Sequence, residues 1–175
     1  MPISRRSLIA SSVALGGLMA ARAAFAADAP ATAAAKPPLV LYDDGLQNGW
    51  QDWSWGTTNH LQIPAGNVKP IKVEGGAWSA LDLHHDPMST AGYTKLTFYI
   101  NGGVEGGQTL GVHVKTPDGK SPPSTFTFKP EVKKWGIVEV PLKDIGAENT
   151  TIADVFIQGG ADPYKPYYID KIQFE

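Results

Sequence analysis

Apolar and polar residues alternate along the chain from residue 39 to its end, and no segment there sustains a helical period. The clearest case is KLTFYIN (95–101), in which every second residue is a large apolar one. The other segments with strand character are LVLYDD (39–44), NVKPIKVEGG (67–76), AWSALDLHH (77–85), TLGVHVK (109–115), STFTFK (124–129), WGIVEVPL (135–142), IADVFIQGG (152–160) and YYIDKIQFE (167–175). Turns rich in glycine, proline and asparagine separate them. The pattern predicts an all-β protein, an antiparallel β-sandwich of jelly-roll type with about nine strands.

One stretch, NGWQDWSWGTTNH (48–60), contains three of the five tryptophans of the chain. If it is a strand, Trp53 and Trp55 lie on one face, about 6.8 Å apart, and Trp50 lies on the other. Two indole rings at this spacing can form an apolar platform for the C–H face of a sugar ring. The alternative is that this pair fills the interior and that Trp50 is the exposed one. Polar neighbours on both sides favour the platform.

Strand alternation places further aromatic and polar side chains on the outward face of the predicted sheets. Together with Trp53 and Trp55, these residues are Trp78, Asp82, His84, Tyr99, His113 and Gln158; Phe156 has the same outward alternation. If all of them face the same sheet, they line one groove with stacking rings and hydrogen-bonding groups, the mixture that a glycan site needs. We therefore predict that these eight residues bind the ligand.

The segment LDLHHD (81–86) leaves a catalytic alternative open. Asp82 and His84 share a strand face, and His113 on a neighbouring strand could complete an acid–base or metal site. The chain contains no H-E-x-x-H, G-x-S-x-G or paired glycosidase carboxylate pattern. Three interpretations remain at this point: a small secreted polysaccharide hydrolase or lyase, hydrogen bonding to a ligand, or a structural role.

Composition excludes some partners. The formal net charge is -2, with 15 basic and 17 acidic residues, so nothing in the charge balance favours nucleic acid or an anionic membrane. The absence of cysteine means that an exported form would need no disulfide. We predict a monomer.

The first residues are typical of an export signal. Arg5–Arg6 precede a short apolar run rich in alanine and glycine, and AFA stands before Ala27. We predict a twin-arginine signal peptide at 1–26, an Ala/Pro linker at 27–38 and one domain at 39–175, in the periplasm or outside the cell. The alternative is a short N-terminal membrane anchor.

Three segments in the C-terminal half resemble a known family. WGIVEVPLKDI (135–145), IADVFIQGG and YYIDKIQFE are similar to the closing strands of jelly-roll carbohydrate-binding modules of the galactose-binding-domain-like superfamily, of the secreted bacterial type. The opening LYDDGLQNGWQDWSW also resembles the start of such modules. The resemblance implies a non-catalytic module that binds polysaccharide, such as the neutral β-glucan cellulose.

In that superfamily a structural calcium ion often joins the first strand to the last. The resemblance places its ligands at Asp170 and at Asp43 or Asp44, and carboxylate oxygens suit Ca²⁺. Lys171 stands where many relatives carry a second acid. The alternative is that these carboxylates cap turns or pair with lysine. A third class of function is a periplasmic assembly module whose aromatic residues contact protein instead of sugar.

Overall fold

The structure is a computed structural model, and it describes residues 36–175. The signal peptide predicted at 1–26 and most of the predicted linker lie outside the described residues. The ten strands are β1 (Leu39–Tyr42), β2 (Gln51–Asp52), β3 (Trp55–His60), β4 (Ile71–Ser89), β5 (Lys95–Asn101), β6 (Leu110–Lys115), β7 (Phe126–Phe128), β8 (Trp135–Pro141), β9 (Thr151–Gly159) and β10 (Tyr164–Phe174). A 3₁₀ turn, Leu142–Ile145, follows β8. Between residues 36 and 175 there is no helix of the length and hydropathy that a membrane crossing requires.

Every strand pair is antiparallel, and the main order is β7-β6-β9-β4-β10-β5-β8. The long strand β4 belongs to both layers of the sandwich. Its second half pairs with β9 and β2, and its first half pairs with β10 and β3. We call the layer of β2, β4, β9, β6 and β7 the β9 sheet, and the layer of β4, β10, β5 and β8, with β1 beside β10, the β10 sheet. The predicted antiparallel β-sandwich is confirmed.

The inward-facing apolar residues of the alternating strands form the interior. Leu81, Leu83, Val112 and Ile157 from the β9 sheet meet residues such as Phe98 from the β10 sheet in a single buried cluster. Burial of these side chains is the main stabilising contribution, because each leucine, valine or phenylalanine gains about 1.5–3 kcal/mol on leaving water. The outward residues of the same strands are left to form two independent outer faces.

The predicted strands at 67–76 and 77–85 are one strand in the structure, interrupted by a bulge. Thr57 pairs with Gly75, but Trp55 pairs with Ala80, so the residues between Gly75 and Ala80 have no partner on β3. Trp78, inside this bulge, has a φ of 57°, which is uncommon for a residue other than glycine. The bulge displaces β4 where it passes from one sheet to the other.

The tryptophan stretch is two short strands with a break at 53–54, instead of one strand. The backbone N–H of Ser54 donates to Asp52 Oδ1, 3.1 Å away, and this local bond forms a turn that competes with strand pairing. The alternation nevertheless survives the break. Trp50 is buried at 3% exposure, whereas Trp53 is 55% exposed on the opposite side.

Candidate functional site: an aromatic platform on the β9 sheet

The outer face of the β9 sheet carries most of the predicted ligand-binding residues, and we call it the platform. Cross-strand pairing aligns Asp82 with Phe156 and Phe156 with His113 in one row. The next row along the strands contains Gln158 beside Gly111. The platform residues are Trp53, Trp55, Trp78, Asp82, His84, His113, Lys115, Asp154, Phe156 and Gln158.

Trp53 lies flat at one end of the platform. Its ring stacks on His84 with centroids 3.4 Å apart and planes 11° apart, and its Nε1 donates to Gln51 Oε1 at 3.1 Å. His84 is held in turn, because its Nδ1 is hydrogen-bonded to Asp154 Oδ1 at 2.9 Å. One face of the indole is thus fixed by the protein, and the ring remains 55% exposed. A fixed, half-exposed ring is suited to stacking against a flat apolar surface.

Trp55 lies nearer the middle of the platform and is half-buried. Its Nε1 donates to the carbonyl of Trp78 at 3.0 Å, and its ring packs against Phe156 with centroids 5.3 Å apart. Lys115 Nζ lies 4.6 Å from the centroid of the Trp55 ring and 5.0 Å from that of Phe156. The ammonium group therefore makes cation–π contacts with both rings and fixes their positions.

Lys115 also neutralises a buried carboxylate beneath the platform. Its Nζ donates to Asp82 Oδ2 at 2.6 Å, and Asp82 is only 2% exposed. Burial raises the pKa of Asp82 to about 6, against the opposing effect of the hydrogen bond from Lys115. Asp82 Oδ1 is buried and has no hydrogen-bond partner among residues 36–175. The pair gives this part of the platform no net charge above pH 6.

The far side of the platform is formed by His113 and Phe156. Their rings stack with centroids 4.8 Å apart and planes 8° apart, and His113 Nδ1 lies 3.3 Å from Thr125 Oγ1. Burial lowers the pKa of His113, so the imidazole is neutral at pH 7. A side chain at Gly111 would come within 2.9 Å of atoms of Thr125 and His113, so the glycine leaves room for both.

Gln158 and Trp78 lie where the platform meets the bulge of β4. Gln158 Nε2 donates to the carbonyl of Trp78 at 3.0 Å, the same oxygen that accepts from Trp55. The Trp78 side chain is 61% exposed. A third tryptophan ring is therefore exposed beside the platform, next to Trp55.

The prediction that Tyr99 belongs to the same groove is wrong. Tyr99 pairs with Asp170 on β10 and with Ile137 on β8, so it lies on the outer face of the β10 sheet. Alternation correctly identifies the outward side of a strand, but it does not tell which of two sheets that strand joins. The other seven predicted residues lie on the platform or beside it, Trp78 through its backbone carbonyl, and their role in ligand binding stays a prediction.

Three residues of the platform were not among the predicted ligand-binding residues. They are Lys115, Asp154 and Phe156. Each lies on the same side of its strand as a predicted residue, because Lys115 is two residues after His113, and Asp154 and Phe156 are four and two residues before Gln158. The signal was available in the same pattern. A lysine or an aspartate at the end of a strand is usually exposed to solvent. Only the fold shows that Lys115 pairs with Asp82, and Asp154 with His84, both on β4.

The three residues of the catalytic alternative are all engaged by other side chains. Asp82 is paired with Lys115, His84 is bonded to Asp154 under Trp53, and His113 lies against Phe156. A general acid or base has to reach the proton that it transfers. This arrangement fixes the polar groups in place under and between aromatic rings instead of directing them together at one point.

A second cluster of acids lies away from the platform, at the junction of β1 and β10. Asp43, Asp44 and Asp170 each offer an oxygen within 4.8 Å of the others. Burial, together with the charges of Asp44 and Asp43, raises the pKa of Asp170, although backbone N–H groups of Lys171 and Asp44 oppose the rise. The Nζ of Lys171 lies 3.2 Å from Asp43 Oδ1, so the pairing with lysine that the sequence suggested is also present.

Comparison of the sequence with known proteins gives one partial match. No family model matches the sequence. An endoglucanase of Dictyostelium discoideum is 35% identical over 80 residues, which are 43% of this chain and 11% of that enzyme. The chain thus matches only about a ninth of that relative.

Solved structures with the same architecture are family 29 carbohydrate-binding modules. One variant superposes with a TM-score of 0.62 at 14% identity, covering 80% of this chain and 92% of the module. Another, a complex with cellulohexaose, superposes with a TM-score of 0.61 at 15% identity and covers 78% of this chain and 89% of the module. A third variant, with a TM-score of 0.60 at 13% identity over 78% of this chain and 89% of the module, is complexed with mannohexaose. The chain has the jelly-roll β fold of family 29 carbohydrate-binding modules.

Proposed function

We propose that the protein binds a neutral polysaccharide chain on the platform and does not cleave it. The observation that carries the proposal is the Trp53 ring, which is stacked on His84 on one side and exposed on the other. An apolar ring fixed in this way gains free energy when the C–H face of a sugar displaces water from it. The sugar complexes of modules with the same fold support this choice of ligand.

The charges of the platform favour a neutral ligand. Lys115 is paired with Asp82 and His84 with Asp154, and burial lowers the pKa of His113, which keeps this third basic side chain neutral at pH 7. An acidic polysaccharide would have to compete with a buried carboxylate for Lys115. We therefore propose a neutral β-glucan such as cellulose as the ligand, held by stacking on Trp53, Trp55 and Trp78 and by hydrogen bonds from polar groups at the rim.

A panel of oligosaccharides tests the proposal. In affinity electrophoresis and calorimetry, we expect retention by soluble β-glucan and binding of cellohexaose, with weaker binding of an acidic hexasaccharide. Xylan, mannan and chitin fragments complete the panel, and Leu61→Ala, an exposed apolar residue outside the platform, serves as the control variant. Reducing-end release is measured in parallel. The proposal is wrong if no glycan of the panel binds, or if release occurs and His84→Ala abolishes it.

We also propose that Asp43, Asp44 and Asp170 hold a structural calcium ion. Asp170 Oδ2 is buried and has no hydrogen-bond partner within the described part of the chain. Buried polar atoms normally have a partner, and a cation bound here would supply one. Three carboxylates within 4.8 Å supply hard oxygens of the kind that Ca²⁺ prefers. Lys171 would leave Asp43 when the ion binds. By joining the turn after β1 to β10, the ion would stabilise the fold.

Removal of calcium is expected to lower the thermal midpoint. A ligand present at a hundred times its dissociation constant adds about 2.7 kcal/mol to the free energy of unfolding. We expect the midpoint in excess CaCl₂ to exceed that in EGTA by several degrees, and MgCl₂ to have little effect. In Asp170→Asn the difference between CaCl₂ and EGTA should vanish. Equal midpoints for the wild-type protein in both solutions would refute the calcium site and leave the glycan proposal intact.

Export by the twin-arginine route, to the periplasm or beyond, is the setting that we propose for this activity. It is supported by the Arg5–Arg6 pair and the AFA motif of the sequence.

A further inference from the structure

The outer face of the β10 sheet carries a second row of aromatic residues. Trp135 on β8 pairs with Asn101 on β5, and Asn101 pairs with Tyr168 on β10. The backbones that carry the indole and the phenol are therefore separated by two strand spacings, about 9.6 Å. Tyr99 lies two residues from Asn101 on the same side of β5. The three rings surround one asparagine.

Two shallow depressions adjoin at Trp135. One, of about 300 Å³, is lined by Val68, Tyr99, Trp135, Asp170 and Lys171. The other, of about 240 Å³, is also lined by Trp135, and its lining includes Asn101, Lys133 and Tyr168. Because both include Trp135, we treat them as one strip, whose lining residues Tyr168, Asn101 and Trp135 lie on three neighbouring strands. A shallow strip across several strands can accommodate an extended chain of sugar rings.

The polar atoms of this strip are available to a ligand. Asn101 uses its Oδ1 to accept from the N–H of Gly103, and its Nδ2 has no acceptor within residues 36–175. The hydroxyls of Tyr99 and Tyr168 and the Nε1 of Trp135 likewise make no side-chain hydrogen bond to any described residue, in contrast to the bonded Nε1 atoms of Trp53 and Trp55. Rings whose polar tips are still unpaired can both stack on a sugar and bond to its hydroxyls.

The charges near the strip are mostly paired, as on the platform. Lys171 is bonded to Asp43, and when calcium replaces that bond, the ion and its three carboxylates together keep one negative charge that balances Lys171. Lys72, which pairs with Tyr168 across the strands, forms an ion pair with Glu74. Lys133 is the lysine of the strip that has no ion pair in the described part of the chain. The strip thus has little net charge to attract a charged polymer.

The apolar area is too small for a stable protein interface. Tyr99, Trp135, Ile137 and Val104, the last of which lines the second depression, are 43%, 38%, 55% and 72% exposed. These fractions correspond to roughly 400 Å² of side-chain surface. A specific protein partner, or a second copy of this chain, needs about 800 Å² on each side. A few sugar rings lying along the strip need much less.

We propose that Tyr99, Asn101, Trp135 and Tyr168 form a second binding site for a neutral glycan chain, on the sheet opposite the platform. The protein would then be bivalent and would hold two polysaccharide chains, one on each side of the sandwich. The choice of ligand class rests on the proposed function, whereas the site itself rests on the residues of the β10 sheet.

The indole N–H signals of the tryptophans test the second site in the intact wild-type protein. In ¹⁵N-labelled protein titrated with cellohexaose, we expect the Trp135 Nε1–H signal to shift as well as that of Trp53. Calorimetry should give two sites per chain, one in Trp53→Ala/Trp55→Ala and one in Tyr99→Ala/Trp135→Ala. Wild-type protein should also raise the viscosity of a long soluble glucan, and both double variants should lose this effect.

The outcomes separate the two proposals. If Trp53 shifts while Trp135 does not, and one site is counted, the second site is refuted and the platform stands. If neither signal shifts with any hexasaccharide of the panel, both proposals fail. Sedimentation velocity identifies a different occupant, because a wild-type dimer that Tyr99→Ala/Trp135→Ala converts to monomer would make the strip a contact between copies and would overturn the second site.

Discussion

Replacing Trp53 and Trp55 together with alanine is expected to lower the affinity of the platform for cellohexaose by about a hundredfold or more. The substitution at Trp53 removes a half-exposed stacking ring. The substitution at Trp55 removes a second ring and its contacts with Phe156 and Lys115. Isothermal titration in a Tyr99→Ala/Trp135→Ala background measures the platform alone, so a contribution from the other sheet cannot mask the loss.

Matched variants separate loss of stacking from loss of structure. Leu61→Ala in the same background removes an exposed apolar side chain outside the platform and should leave platform affinity unchanged. Trp53→Phe retains a ring over His84 and should lose much less affinity than Trp53→Ala. Urea unfolding of each variant reports its free energy of unfolding. Retention of full affinity by the stably folded Trp53/Trp55 double variant would exclude the platform as the binding site.

Lys115→Met is expected to destabilise the protein by about 3 kcal/mol at pH 8, because it leaves Asp82 buried and charged without its partner. Methionine retains most of the length of the lysine side chain, so packing against Trp55 and Phe156 changes little. At pH 5 the loss should be much smaller, since Asp82 can then take a proton. Urea unfolding at both pH values measures the difference.

The sign of this pH dependence follows from the pKa of Asp82, which is raised from the usual 3.8 to about 6 in the folded protein. Between these values the folded form binds a proton that the unfolded chain has released, so the contribution of Asp82 to stability is present at low pH and is lost as pH rises through 6. The whole change amounts to about 3 kcal/mol. In Lys115→Met the pKa should rise further and extend the loss to higher pH.

The Asp82→Asn variant provides the control for this prediction. In Asp82→Asn the free energy of unfolding should no longer fall between pH 4 and pH 6 as it does through Asp82 in the wild-type protein. Combined with Lys115→Met, the same substitution should restore part of the stability at pH 8. An equal cost of Lys115→Met at pH 5 and pH 8 would contradict the assignment of the buried charge to Asp82.

The fold could be predicted from the sequence to a large extent, because period-two alternation is a local property and survives in nearly every strand. KLTFYIN is β5 from its first residue to its last, and the strands predicted at 109–115 and 135–142 are β6 and β8, each one residue shorter at one end. The opposite burial of Trp50 and Trp53 also follows from alternation. Local pattern was sufficient wherever the backbone is regular.

The parts that failed depend on long-range pairing. Tyr99 has the outward alternation of His113, but β5 joins β10 and β8 whereas β6 joins β9 and β7. The bulge at Trp78, which merges two predicted strands into β4, likewise arises from the mismatch between β3 and β4. The partner of a strand has no signature within the strand itself, and the glycines at 75–76 suggest a bulge without giving its size or its effect on the pairing.

The contacts beneath Trp53 affect the thermodynamics of recognition as well as its geometry. Gln51 holds the indole Nε1, His84 supports the ring, and Asp154 fixes His84, so the three successive contacts restrict the ring before any ligand arrives. A side chain that is ordered on binding costs about 0.5–1.5 kcal/mol of conformational entropy. This ring has already lost most of that freedom during folding. The platform should therefore bind with a small entropic penalty from the protein, leaving the penalty mainly to the flexible sugar chain.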